Sequence, residues 1–308
     1  MKSSRIAVVA AYAACVLIWG TTWLAIKVSL TGFPAVGGAG IRFVLAGLFL
    51  YALGAIVRVD VRRAAPPLHL VIVLAITMFG LNYALTYLAE THLASGLVAV
   101  IFGTLPFFVF AFAHVMVDER AGRNTIIGAL LALGGVATIS LVGDIRADFL
   151  YVLATLGASI SSAYANVYLK RHANAEPFTT LPPAMLLAGI AMSAYGIVVE
   201  HIDLHHALAP APLAALAYLA VFGSAIAFYL NHWLLQRIDS GTMGLSALMI
   251  PVLAVIVGAL FGHEVFGVRD IVGALLVIVG VWLSMAPTAK RRAVVSSAAP
   301  VVATPLRR

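Results

Sequence analysis

The sequence predicts an all-α integral membrane protein: ten transmembrane helices arranged as two inverted five-helix repeats, N-in and C-in. Three observations carry this expectation. The composition is too apolar for a water-covered surface, ten apolar runs are long enough to span a bilayer, and the second half repeats landmarks of the first at a fixed offset.

Hydrophobic residues make up 63% of the 308 positions and charged residues only 10%, against roughly 25% charged in ordinary soluble domains. A soluble fold of this size needs more polar surface than that, so lipid must cover the rest. The formal charge of +7 lies in short runs between apolar segments and near the C-terminal end, which membrane-surface charge explains better than a nucleic-acid partner does; no nucleic acid is expected. The single cysteine, Cys15, has no second cysteine to pair with, so neither a disulfide framework nor a Cys/His metal cluster can be built. No cofactor and no metal are expected.

A span needs about 20 largely apolar residues. Such runs cover approximately residues 6–28, 35–57, 69–89, 95–117, 124–142, 148–169, 178–199, 213–235, 240–262 and 269–287. The first begins like a signal peptide, with Lys2 before an apolar run and Ala-x-Ala at Ala11 to Ala13. The run continues through Trp19 to about Val28, however, and reads as a span. Pro106 and Pro251 fall at the centres of spans four and nine, where a proline removes a backbone hydrogen bond and kinks the helix; such kinks either shape a cavity or act as gating hinges. Pro182 and Pro183 bend the entry of span seven. Spans five and ten carry no polar stripe, and their glycines (Gly128, Gly134, Gly135, Gly273, Gly280) allow close helix packing away from any polar path. Residues 288–308 form a basic, Ala-, Val-, Ser- and Pro-rich tail expected to be disordered.

Lysine and arginine set the orientation. With the N-terminus inside, fifteen of the 19 fall on the cytoplasmic side, Arg146 and Arg269 fall in outer loops, and Lys27 and Arg42 lie within spans. Both termini are therefore expected in the cytoplasm, with the lipid bilayer as the chain's main partner.

Residues 95–135 align with 240–280 at an offset of 145 without a gap. Ser95-Gly96 matches Ser240-Gly241, Pro106 matches Pro251, Glu119 matches Glu264, and Gly128-Ala129-Leu130-Leu131 matches Gly273-Ala274-Leu275-Leu276. The unit is five spans, an odd number, so the two copies (residues 1–142 and 148–287) must run oppositely through the membrane. Inverted repeats of this kind recur in secondary transporters, whose solute site lies near the midplane between the repeats.

The opening Trp19-Gly20-Thr21-Thr22-Trp23 with Lys27 beyond it, Arg42-Phe43 early in span two, and the Pro106 and Pro251 spans each followed by Glu and a Gly-rich span form a recognisable set. In these features the chain resembles the drug/metabolite transporter superfamily, EamA branch, which includes YddG-like amino-acid exporters. The resemblance covers residues 6–287. It implies a multi-pass protein of a bacterial inner (plasma) membrane that exports amino acids, other metabolites or drugs, working as a monomer or homodimer.

Polar side chains in hydrocarbon are costly, so their distribution traces a candidate path. Trp19, Trp23 and Lys27 recur at i, i+4 and i+8 on span one, and Trp23 is placed to hold Lys27 by a cation–π contact. Arg42 lies seven residues into span two and either pairs with a solute carboxylate or clamps helix ends. Span three carries Asn82 and Thr86 beside Tyr83, Tyr87 and Glu90. Span six carries Ser159, Ser162 and Asn166, which either line a wet cavity or glue helices together. Asn231 and His232 are weaker candidates because they lie near a span end, and His114 reads as a packed histidine. The His201, Asp203, His205 and His206 group reads as a solvated loop.

No Asp or Glu sits at mid-depth, which favours facilitated diffusion over ion coupling, although Glu90 and Glu264 near span ends are available to carry a proton. Two intramembrane cations are few for a sugar-phosphate or nucleotide-sugar exchanger, so less charged solutes are favoured; a drug exchanger is the other carrier reading. There is no His-Glu-x-x-His and no Gly-x-Ser-x-Gly, so an intramembrane enzyme is not expected, and nothing resembles a ring-forming channel filter.

Overall fold

The structure, a computed structural model, describes residues 5–59, 65–93, 95–140, 149–200, 204–250, 253 and 268–285. Pro251, Glu264, Arg146, His201, Asp203 and the 288–308 tail lie outside the described residues. Within them every regular element is helical. In chain order these are α1 (Arg5–Ser29), α2 (Ala35–Ile56), α3 (Leu68–His92), α4 (Ser95–Phe102), α5 (Leu105–Met116) and α6 (Arg123–Ser140). They continue as α7 (Phe149–Arg171), α8 (Pro177–Glu200), α9 (Pro210–Leu235), α10 (Ser240–Ile250) and α11 (Val268–Met285), with a further four-residue helix, Leu204–Ala207, between α8 and α9. Six of these, α1, α2, α3, α7, α8 and α9, are long and apolar enough to cross a membrane.

Proline and capping residues explain where the helices begin. Pro34 precedes α2, Pro67 precedes α3, and Pro177 and Pro210 stand in the first turns of α8 and α9, where the missing N–H leaves no intrahelical bond unmade. Asp239 caps α10, its Oδ1 accepting from the Thr242 N–H and hydroxyl at 2.7 Å each. Pro182 and Pro183 lie inside α8, which runs through them.

Pro106 departs from its expected part. The fourth span is not a continuous helix kinked at its centre. It breaks at Gly103–Thr104, and Pro106 stands in the first turn of α5. A proline there forfeits no hydrogen bond, so the chain meets its constraint by starting a new segment rather than bending an old one.

Three helices contain wide, π-helical turns: α3 over Ala75–Leu81, α8 over Gly196–Glu200 and α9 over Leu219–Ile226. Such turns inside α-helices occur often at functional positions. The α3 turn ends at Asn82, and the α9 turn carries Gly223 and Ser224.

Packing follows small residues. On α2 and α8, Gly37 faces Gly196, Gly40 faces the Ser193 backbone, and Gly189 faces the Val44 backbone. A Cβ at any of these would overlap the opposite main chain, so the two helices touch backbone to backbone. The same holds for α6 and α11, where Gly128 meets Gly280 and Gly135 meets Gly273. Gly134, expected to share in this contact, faces open space. Elsewhere α1 packs on α9 as α7 packs on α3, while α2 also touches α9 and α8 also touches α3.

Candidate functional site

A cavity of about 710 Å³, its open mouth included, lies among α1, α3, α4, α5, α7, α9 and α10. Helical periodicity explains its wall. On α1, Trp19, Thr22, Trp23 and Ile26 step at i, i+3, i+4 and i+7, and on α10 Met243, Ser246, Ala247 and Ile250 do the same. Asn82, Tyr83 and Thr86 of α3, Phe102 and Leu105 at the helix break, Ser162 and Asn166 of α7, Phe228 and Asn231 of α9, and Gly244 complete it. None of these side chains carries a charge. Phe228 contacts both Trp19 and Tyr83 edge-on, with ring centroids 5.7 and 6.1 Å apart.

The wall's amides are linked. Asn231 Nδ2 donates to Asn166 Oδ1 at 3.0 Å, and Asn166 Nδ2 donates to the Ser162 carbonyl at 2.9 Å. Asn82 Nδ2 donates to the Met78 carbonyl at 3.2 Å. Three buried polar atoms of wall residues have no partner among the described residues: Trp19 Nε1, Asn82 Oδ1 and Asn231 Oδ1.

Seven of the residues expected on the path therefore come together at the wall: Trp19, Trp23, Asn82, Tyr83, Thr86, Ser162 and Asn166. The others sit elsewhere. Arg42 is fully buried beside the cavity, and its Nε, Nη1 and Nη2 donate to Ser224 Oγ (2.6 Å), Tyr87 OH (3.2 Å) and the Gly223 carbonyl (3.1 Å). Its guanidinium also lies 4.7 Å from the Tyr83 ring centroid. It thus ties α2 to α3 and to the π-helical turn of α9, and Tyr87 serves this clamp instead of the wall. Lys27 is exposed, and its Nζ donates to the Glu90 carbonyl at 2.9 Å in place of the expected contact with Trp23. Ser159 faces Thr104 Oγ1 at 3.2 Å, tying α7 to the break in the fourth span.

Asn231 was undervalued from its depth in the sequence; the cavity reaches the end of α9, and its hydrogen bond to Asn166 places it in the wall. The α10 stripe was missed altogether, although its i, i+3, i+4, i+7 spacing around Ser246 was available to be read. His114 is exposed rather than packed. His232 is buried with neither ring nitrogen paired among the described residues. Glu90, at the end of α3, is likewise buried with neither carboxyl oxygen hydrogen-bonded among them.

The chain is 26% identical over 254 residues to the uncharacterized inner membrane transporter YedA of Escherichia coli K12, covering 80% of each protein. It is 27% identical over 289 residues to a probable terminal-alkyne amino-acid exporter of Streptantibioticus cattleyicolor, covering 90% of this chain and 93% of that one. A protein of known crystal structure superposes with a TM-score of 0.80 at 19% identity, over 92% of this chain and 97% of the other, which shows a shared fold. The sequence pattern of the EamA-like transporter family matches residues 6–141 and again residues 149–286. With its long apolar helices, the chain is a multi-pass membrane protein, and it belongs to the EamA-like transporter family.

Proposed function

We propose that this transporter exports amino acids or similar small metabolites across a bacterial inner membrane by alternating access, through facilitated diffusion down an outward gradient. The observation that carries this reading is the uncharged, aromatic- and amide-lined cavity, whose wall is drawn from α1, α3, α4 and α5 of the first half and α7, α9 and α10 of the second. Among the described residues the wall has no Lys or Arg, which suits solutes of no net charge better than sugar phosphates, and no Asp or Glu to couple an ion. The name of the Streptantibioticus relative points to amino acids, and that of YedA to the inner membrane.

In this reading the ten spans form two inverted repeats, 1–142 and 148–287, with both termini cytoplasmic. Support comes from the two-fold match of the family pattern and from the π-helical turns of α3 and α9, whose last residues, Leu81 and Ile226, stand at the offset of the sequence repeat. The reciprocal packing of α1 on α9 and α7 on α3 fits as well. Trp19, Trp23, Asn82, Tyr83, Ser162 and Asn166 contact solute, Arg42, Tyr87 and Ser159 hold the helices that carry them, and the break ahead of Pro106 supplies a hinge.

Counterflow in proteoliposomes tests the reading. Vesicles preloaded with unlabelled amino acids, without any ion gradient, are expected to accelerate uptake of a labelled one. Absence of counterflow with every amino acid tried would overturn the amino-acid assignment. Counterflow appearing only with an imposed proton gradient would overturn the uncoupled mechanism.

A further inference from the structure

The free atoms of the wall have a polarity that can be fixed by elimination. A main-chain carbonyl only accepts. Asn166 must therefore turn its Nδ2 toward the Ser162 carbonyl, leaving Oδ1 on its other side. Asn231 must then turn Nδ2 toward Asn166, and its own Oδ1 is left without a donor. Asn82, bound through Nδ2 to the Met78 carbonyl, is left in the same condition. Flipping any of these amides sets acceptor against acceptor, so the assignment follows from the network and not from a choice of amide orientation. Asn82 and Asn231 are 5% and 1% exposed, and buried acceptors without donors are rare in folded proteins unless a water or a ligand completes them. Both residues line the cavity, and no described residue donates to either oxygen, which leaves a solute or water that enters the cavity as the donor.

Resting on the amino-acid reading above, we infer that Asn82 and Asn231 receive the ammonium group of the solute through their side-chain oxygens. Trp19 and Phe228 place aromatic rings in the wall, beside which a cation is favoured; the Tyr83 ring already holds the Arg42 guanidinium, 4.7 Å from its centroid, and among the described wall residues none is cationic. Trp19 Nε1, the one orphaned donor among these three atoms, is left for an oxygen of the solute. Arg42 is already committed to Ser224, Tyr87 and Gly223, so a carboxylate finds no ion pair in this wall. The site therefore selects primary amines bearing an apolar or aromatic group: amino acids, and equally their amides.

Matched probes test this on the purified full-length protein, by ligand-dependent melting in detergent and by competition in counterflow. L-phenylalanine and phenylalaninamide are expected to bind and compete. 3-Phenylpropionate, which keeps the ring and carboxylate and lacks the amine, is expected to be weaker by at least about tenfold, because a site built to bond an N–H strongly rejects the analogue without it. Asn231→Leu and Asn82→Leu are each expected to reduce that discrimination. The probes on the unmodified protein decide the matter even where a variant fails to fold. If 3-phenylpropionate competes within about threefold of phenylalanine, the transporter reading stands and the ammonium assignment falls. If none of the three is bound or carried while another solute class is, both fall.

Discussion

Arg42 and Lys27 are both cations within the first two helices, and the structure gives them opposite weights. Arg42→Ala leaves Ser224, Tyr87 and Gly223 without their buried donor, and each orphaned group costs roughly 1–3 kcal/mol. The variant is expected to melt well below the wild type in detergent. Arg42→Lys is expected to recover only part of the loss, because a lysine keeps the charge without the planar fork. An unchanged melting curve with selective loss of carboxylate-bearing solutes would return Arg42 to solute binding. Lys27→Ala removes one bond from an exposed side chain and is expected to change stability by no more than about 0.5 kcal/mol, with transport near the wild-type rate. The sequence made the two residues look alike because it shows depth and not azimuth. At about 100° per residue, each step of four overshoots a full turn by about 40°, so two steps carry Lys27 some 80° from Trp19. The stripe that stays on the cavity runs instead through Thr22 and Ile26.

At the scale of the element, existence was legible and interruption was not. Apolar runs of bilayer length mark the long helices to within a few residues, because few other structures tolerate such runs. The break at Gly103–Thr104 was hidden because Pro106 permits two outcomes, a kink or a fresh start, and only packing against α7 selects between them. The amide wall was partly legible for the same kind of reason. Polar residues on α3 and α7 stood out against apolar neighbours, whereas the contribution of α10 rests largely on Met, Gly, Ala and Ile. Glycines of one helix separate cleanly by environment. A Cβ at Gly128 would overlap the Gly280 carbonyl and the Ser284 backbone, while one at Gly134 meets nothing within 4 Å. Gly128→Ala is therefore expected to destabilise the α6–α11 pair by roughly 1–3 kcal/mol. Gly134→Ala is expected to be neutral or stabilising by up to about 1 kcal/mol, since alanine is the better helix former. Melting of the two variants side by side checks the difference in sign.

Across the whole molecule, two ties between the halves bracket the cavity along α9. Arg42 engages that helix at Gly223 and Ser224, before the wall residues Phe228 and Asn231. Beyond the helix end, Glu119 Oε2 accepts from the Ser240 N–H at 2.9 Å and the Ser240 hydroxyl at 2.5 Å. The carboxylate sits at the N-terminus of α10, where the helix dipole favours a negative charge. For a carrier that opens one end at a time, the Glu119–Ser240 tie is expected to hold shut the end where α9 and α10 meet, and neutralising it to bias the protein toward opening there. Losing a charge-assisted hydrogen bond removes about 1.5–3 kcal/mol, enough to shift a two-state equilibrium about tenfold or more. Glu119→Gln in a Ser246→Cys background is thus expected to raise labelling of the wall cysteine by a small membrane-impermeant thiol reagent about tenfold from that side, and to lower it from the other. Cys15, the native thiol, is buried and should add little background. A rise from both sides together would describe a pore loosened as a whole, and alternating access would then be the wrong account of how the halves move.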